Sequence, residues 1–550
     1  MLKPVEAVVD EMLLRCALDP LAHRKFPRLV RPLSISGVDL DPMHKFRPNK
    51  KRYATTLINV RSQSQFEIDD ATPATLLNGL LHRLFFEKRP LVGALPECAN
   101  QVVLTTENKR WVAPSPVNSF FEHCFKAEYF FYDLPTLIPY TPHQFVSAYS
   151  GSKRKRYQKA MEKYSRMPEL LPKHAAVQTF VKYEKCAVKT GRDPRIIQPR
   201  TPLYNLAVGR FLKPLEHVLY TYINKMFEHE VVFKGKNAID QGDLIHRYWK
   251  SFDSPVAVGL DASRFDQHIH SSALKFEHSV YAAFYSQDVE LCRLLSYQLR
   301  NTGYAKLPGQ TIKYEVSGTR MSGDMNTAMG NVLLMCCMVY EYLNCRLKPG
   351  QYRFIDNGDD CVIILDKSNL HLLDGIPLSF EHWGFPLTIE EPVYMLEHLE
   401  FCQTKPVFDG SRYVMCRDAL KCLTKDTIVT QPIRTEEHFD QHRKNVADCG
   451  LAIAGNLPIF KSFYECLGRG ASPKRKLAWE EQSGLKWLSL GLKPMKSEPI
   501  TDAARLSFFH AFGIMPHTQV AIEDVYKTFS PQWADPVLNF RPIHVATVST

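Results

Sequence analysis

Long apolar runs are missing from this 550-residue sequence: none reaches the roughly 18–20 residues that a membrane-spanning helix needs. The longest candidate, Val332 to Leu343, is broken by Glu341 and reads as a buried helix. The opening MLKPVEAVVDEML carries acids where a secretory signal needs a basic start and an apolar block. The expected location is therefore the cytoplasm, with membranes reached only through another protein. CxxC pairs are absent too. The 14 cysteines are scattered, and Cys336-Cys337 sit in an apolar run. They read as reduced core thiols, which excludes a disulfide framework and a structural zinc site. Internal repeats and long linkers are also lacking. A chain that is 45% hydrophobic and 23% charged is neither disordered nor collagen-like. At ~150 residues per domain it has room for three or four domain-sized units.

What the sequence does have is unevenly distributed charge. The formal net charge is +11, yet residues 151–200 alone hold 14 basic against 4 acidic residues. Almost the whole excess lies in that window. Such a concentration points to a polyanion, either nucleic acid or nucleoside triphosphate. Charge alone does not separate this from a solvated basic face.

Apolar spacing predicts helices over 75–90 and 155–167, and a longer one over 203–227 through Leu206, Phe211, Leu215, Leu219 and Ile223. Strands are expected over 175–183 and 195–198. The run from Val256 to Leu260 reads as a buried strand ending at Asp261, with a helix after it over 273–285. A Gly/Ser-rich turn, GTRMSGDMN, leads into another helix. Two β-rich runs, Tyr352 to Ile355 and Cys361 to Leu365, flank an Asn-Gly step, which is a strong hairpin signal. Asp359 and Asp360 are expected at its tip. From about Asp409 onward the sequence mixes helical segments and loops without a readable motif.

If the strand ending at Asp261 lies beside this hairpin, three carboxylates converge. Like charges repel, and hard divalent cations relieve the repulsion; Mg²⁺ favours a few carboxylates plus substrate phosphates. Two such ions ~3.5–4 Å apart can activate a hydroxyl and stabilise a leaving phosphate. A lone Gly-Asp-Asp arises by chance in about one chain in ten of this length, so the order of the surrounding segments carries the weight.

That order is DASRFDQH (261–268), SGDMNTAMGN (322–331), then NGDD (357–360). These strings resemble motifs A, B and C of viral RNA-dependent RNA polymerases, in wording closest to the tombusvirus/carmovirus-like positive-strand RNA viruses, relatives of the flavivirus-type polymerases. FVSAYSGSKRKRYQKA (145–160) resembles the segment at the template entrance, FVKYEK (180–185) with RIIQPR (195–200) motif F, and LEFCQTKPVF (399–408) motif E. The resemblance covers roughly residues 145–408.

It implies an α+β right-hand fold of fingers, palm and thumb, with an RRM-like antiparallel palm sheet flanked by helices. By position, residues 1–255 are the N-terminal extension and fingers, 256–408 the palm with a finger insertion about 286–315, and 409–550 the thumb and tail. The activity implied is RNA-templated RNA synthesis with Mg²⁺ or Mn²⁺. The partners are RNA template and product, nucleoside triphosphates, and viral or host replication proteins. Asp261 and Asp359 would hold both metals, with Asp360 a weaker ligand or a support behind them. Asp266, Ser322 and Asn331 would read the ribose 2′-hydroxyl, with Thr327 supporting. Lys182 and Arg195 would grip the triphosphate with Lys185 and Arg200, while Lys153, Arg154, Lys155, Arg156, Gly323 and Cys402 would meet RNA. Motif D lacks a clear lysine, which leaves His382 and Lys367 as weak candidates for the proton donor to pyrophosphate. His268 and His270 read as ordinary hydrogen-bonding residues. Reverse transcriptases share the paired acids, but Asp266, the SG…T…N helix and NGDD disfavour that reading. A non-catalytic RNA-binding subunit has no reason to keep a repulsive acid cluster.

Overall fold

A computed structural model of the protein describes residues 118–529 apart from 168, 188–193, 308–309, 430–434, 473–484 and 495–497. It also describes short pieces at 55–56, 66–67, 73–80, 83 and 111–113, and residue 531. At the centre is a four-stranded antiparallel sheet in the order Tyr352–Asp356, Asp360–Asp366, Pro255–Ala262, Leu387–Ile389. Its strands are near-continuous apolar runs because both faces are buried. Side chains alternate between two cores. Val256, Val258, Leu260, Phe354, Ile363 and Leu365 enter one, with the helices Pro202–Phe227, Ser271–Ala283 and Thr327–Asn344. Ala257, Ile355, Val362 and Ile364 enter the other, with Leu396, Phe401, Met415 and the C-terminal helices.

The helix Pro202–Phe227 starts where Thr201 accepts the Tyr204 N–H (3.2 Å) and Pro202 takes the first turn, a position that needs no amide proton. The helix Thr327–Asn344 is buried nearly throughout, Cys336 and Cys337 included. No described helix is long and apolar enough to cross a membrane. The basic helix runs Gly151–Tyr164 and buries only Tyr157, Ala160 and Met161. Of the helix expected over 75–90, Pro73–Leu80 is described.

A second sheet of five strands has the order Trp111–Ala113, Gln310–Ser317, Arg300–Leu307, Val177–Val181, Ile196–Ile197. Its long hairpin runs Arg300–Ser317. The segment after 409, where helical segments without a motif are expected, forms the strand Tyr413–Arg417 and helices that include Glu436–Ala454, Phe460–Gly468, Asp502–Phe512 and Pro516–Thr528. Gly242, on the helix Ala238–Trp249, lets that helix touch the Tyr413 backbone, where a Cβ would lie 2.3 Å from the carbonyl oxygen. Thr55–Thr56 pairs antiparallel with Ile428–Val429.

Candidate active site

Strand register builds the site. Asp360 lies directly opposite Asp261, and Thr388 flanks Asp261 on its other side. Asp360 is therefore the first residue of the return strand, and only Asp359 of the expected pair sits in the turn. Gly358 has φ +110, open to glycine alone at little cost, and its N–H donates to Asp356 Oδ2 (3.0 Å). The Asn357 N–H donates to the Asp360 carbonyl (3.0 Å) and its side chain to Cys402 Sγ (2.9 Å). Burial pushes Asp356 well above the usual carboxylate range. The turn is thus held from below and from the side.

These acids line a cleft of about 240 Å³ together with Glu390, Glu400 and Cys402. The two glutamates are functional candidates that sequence reasoning missed. Glu400 lies inside the LEFCQTKPVF string, and Glu390 follows the edge strand. Glu390 fits because Gly259 leaves it room: a Cβ there would lie 2.0 Å from Oε2. Charge crowding shows in the titration of the site. Asp359 is exposed by surface area, yet the walls of the cleft strip enough water to raise its pKa, and Asp266 adds to the rise. Asp360 is raised by burial, against the Cys402 N–H it accepts, and further by Asp359, Glu400 and Asp261. Glu390 is raised by burial, then by Asp261, Glu400 and Asp360.

Beside the cleft, Asn331 Nδ2 donates to Asp266 Oδ1 (2.8 Å), so two of the expected ribose-reading residues do meet. Arg320 Nε donates to Asn331 Oδ1 (3.3 Å) and is itself fully buried against Glu277. Ser322 ties its loop to the neighbouring strand: its hydroxyl donates to the Ile196 carbonyl (3.3 Å) and accepts the Gln198 N–H (3.2 Å). Arg195 is 67% exposed, pairs with Glu184 (3.3 Å) and lowers the pKa of Asp359 by its charge. Lys182 pairs with the same Glu184 (2.6 Å). Lys153, Arg154, Lys155 and Arg156 are all exposed on their helix.

Several expected ligands are committed elsewhere. Arg200 is 1% exposed; it pairs with Asp324 (2.5 Å) and donates to Asn301 Oδ1 (2.6 Å), so it locks the fold and leaves no free fork for a phosphate. Lys185 is half-buried, its Nζ donating to the Lys425 carbonyl (2.5 Å), and loss of water around it pulls its pKa down to about 8. Thr327 donates to the Met321 and Asp324 carbonyls (both 3.1 Å) at the start of its helix, a capping role. Gly323 packs on Pro199, where a Cβ would lie 2.6 Å from backbone. Its contact is thus with protein. Lys367 follows the strand that Asp360 begins, about 20 Å along at ~3.3 Å per residue, too far to donate a proton. The His382 ring stands edge-on to Phe120 (6.0 Å) and does not line the cleft. His270 Nδ1 accepts the Ala273 N–H (3.2 Å) and Nε2 meets the Trp383 carbonyl (2.9 Å); burial holds its pKa near about 4. His268 Nδ1 meets the Arg264 carbonyl (3.2 Å). Lys189 and Arg192, in the same basic window, fall outside the described residues.

Known proteins share this sequence over most of its length. The chain is 41% identical over 415 residues to the RNA-directed RNA polymerase of Oat chlorotic stunt virus (isolate United Kingdom), covering 72% of this chain and 55% of that one. It is 37% identical over 503 residues to the RNA-directed RNA polymerase of Tobacco necrosis virus (strain A), covering 89% and 66%. With that of Melon necrotic spot virus the identity is 34% over 508 residues, covering 90% and 61%. The chain thus spans about half to two thirds of the length of these relatives. A family profile described as viral RNA dependent RNA polymerase matches residues 45–534. Motif order, the acid register and a match of that extent agree, and the chain belongs to the viral RNA-dependent RNA polymerase family.

Proposed function

We propose that this protein synthesises RNA on an RNA template, transferring nucleotides from NTPs to a 3′-hydroxyl, in replication of a positive-strand RNA virus genome. The observation that carries this reading is the pairing of Asp261 with Asp360 beside Asp359 in one acid-lined cleft. The names of its relatives agree with it. In this reading the four-stranded sheet and its helices are the palm (256–408), and the hairpin Arg300–Ser317 belongs to the fingers along with residues 1–255. Residues 409–550 are the thumb.

Carboxylates are hard oxygen donors and fit Mg²⁺ or Mn²⁺. Among the described residues no three of His, Cys, Asp or Glu already form a ligand cage. Cations that take few carboxylates plus substrate phosphates do not need one. Asp261 and Asp359 would hold the ions, with Asp360 as a weaker ligand. When bound, they would neutralise phosphate charge and acidify the attacking hydroxyl. The chain itself positions the reactants. Arg195 and Lys182 offer charge to the triphosphate. Asp266 and Asn331 present a polar pair to the ribose, and such a site rejects a sugar lacking the hydroxyl because its polar groups lose their partner. The exposed run Lys153 to Arg156 tracks RNA phosphates without reading sequence. RNA and NTPs are the partners in this reading. Replication proteins of virus or host, at membrane-associated sites in the host cytoplasm, complete it.

The test supplies the protein with a short RNA template, NTPs and Mg²⁺, with and without a primer, beside Asp359→Ala. Template-dependent incorporation that Asp359→Ala abolishes, with its fold intact by circular dichroism, is expected. Normal incorporation by that variant removes the assignment.

A further inference from the structure

Asp266 has a second partner that belongs to none of the sequence motifs. Arg83 Nη2 donates to Asp266 Oδ2, on the oxygen that Asn331 leaves free. The same guanidinium donates through Nε to Gln198 Oε1 (3.0 Å), and Nη2 also lies 3.5 Å from the Arg320 carbonyl. Gln198 is fully buried and is fixed in turn: its Nε2 donates to the Tyr314 hydroxyl (2.9 Å), which meets Thr179 Oγ1 (2.6 Å). Tyr314 and Thr179 stand on the two strands that flank Arg300–Leu307 in the five-stranded sheet. One arginine thus joins that sheet, the short helix Phe265–His268 after the central strand and the loop before the Thr327 helix.

We propose that Arg83 is a positioning residue for sugar selection, holding the Asp266 carboxylate aimed so that it accepts a ribose 2′-hydroxyl. This rests on the polymerase reading above. Asp266 stands close enough to Asp359 to raise the latter's pKa, so repulsion works to turn the Asp266 carboxylate away. A planar guanidinium opposes that turn, since Nη2 binds one carboxylate oxygen while Nε, held on Gln198, fixes its direction. With Arg83 and Asn331 each donating to one oxygen, the carboxylate keeps lone pairs for a third donor. A deoxyribose brings none. The Gln198 amide N–H also holds the Ser322 hydroxyl.

The experiment is single-nucleotide incorporation of UTP against dUTP on an RNA primer–template with Mg²⁺, in wild type, Arg83→Gln, Arg83→Lys, Asp266→Ala and the double variant Arg83→Gln/Asp266→Ala. The readout is the ratio of kcat/KM values, which does not depend on how much of a preparation is folded. Arg83→Gln should lower UTP/dUTP discrimination by about ten-fold or more, the scale of one lost charge-assisted hydrogen bond. Arg83→Lys, which keeps charge without the fork, should fall between. The double variant should discriminate no worse than Asp266→Ala, because both changes remove one interaction. Equal losses on both nucleotides with an unchanged ratio would show a merely structural arginine, and additive losses would show that it acts elsewhere. A wild-type protein that incorporates no UTP at all sinks the polymerase reading instead.

Discussion

Replacing Asp360 with asparagine removes one negative charge from the acid cleft while keeping its shape. Asp360 faces Asp261 across the strands, which puts the two Cβ atoms ~5 Å and the carboxylates roughly 6 Å apart. At an effective dielectric between 20 and 80, that single repulsion is ~0.7–3 kcal/mol. Asp359 and Glu400 add to it. Against this stands the hydrogen bond from the Cys402 N–H. An amide oxygen still accepts it, at a loss of ~1 kcal/mol relative to a carboxylate. In chelator at pH 7 the variant should therefore be more stable than wild type by about 1 kcal/mol. At ~2.1 cal/mol/K per residue, a cooperative unit of roughly 400 residues would melt about 1 °C higher.

The pH dependence has a definite sign. The folded pKa of Asp360 is raised, so its contribution is fully present below the unfolded value near ~3.9 and is lost as pH rises through the folded value. The gap between variant and wild type should open from pH 4 towards pH 7. Divalent cation reverses the order: at 100 times Kd a ligand adds about 2.7 kcal/mol to wild type, and the variant gains less. Thermal unfolding in EDTA and in MnCl2 across that pH range reads all of this. An asparagine variant that melts below wild type in EDTA at pH 7 would refute the repulsion argument.

Three further outcomes follow from packing and charge. Glu277→Gln should cost ~3–5 kcal/mol in unfolding experiments, because Arg320 and Glu277 are both 0% exposed and the arginine would keep its charge without a partner. Gly323→Ala should lower kcat with a loss of ~1–3 kcal/mol in stability, since the new methyl would lie 2.6 Å from the Pro199 backbone and displace the loop carrying Ser322. Replacing Lys153, Arg154, Lys155 and Arg156 together by alanine should weaken single-stranded RNA binding in a filter assay and flatten its salt dependence by ~0.7 for each RNA phosphate no longer neutralised; an unchanged slope would place the RNA on another face.

Elements with a local signature were legible in the sequence. The central strand, the Asn-Gly hairpin and the buried helix after the Ser-Gly turn follow from runs and turns a few residues long. The convergence of Asp261 with Asp359 and Asp360 was legible because a hairpin beside a strand admits few registers. What the sequence concealed were partnerships between distant residues. Arg200 looks like a channel-lining cation on an alternating strand, and only the fold reveals Asp324 against it. Lys185 meets the Lys425 carbonyl in the same way. Thr327 shares a helical face with Asn331 in spacing, but its hydroxyl is spent on carbonyls at the helix start. Glu390 depends on the space over Gly259, and Arg83 has no periodic neighbour to mark it.

The strand Pro255–Ala262 is a party wall. Its alternate residues belong to separate apolar interiors, Val256, Val258 and Leu260 on one side and Ala257 on the other. Neither half of the molecule can melt without stripping a face from the strand that carries Asp261. Heat should therefore unfold both halves together, and activity should be lost in one cooperative transition.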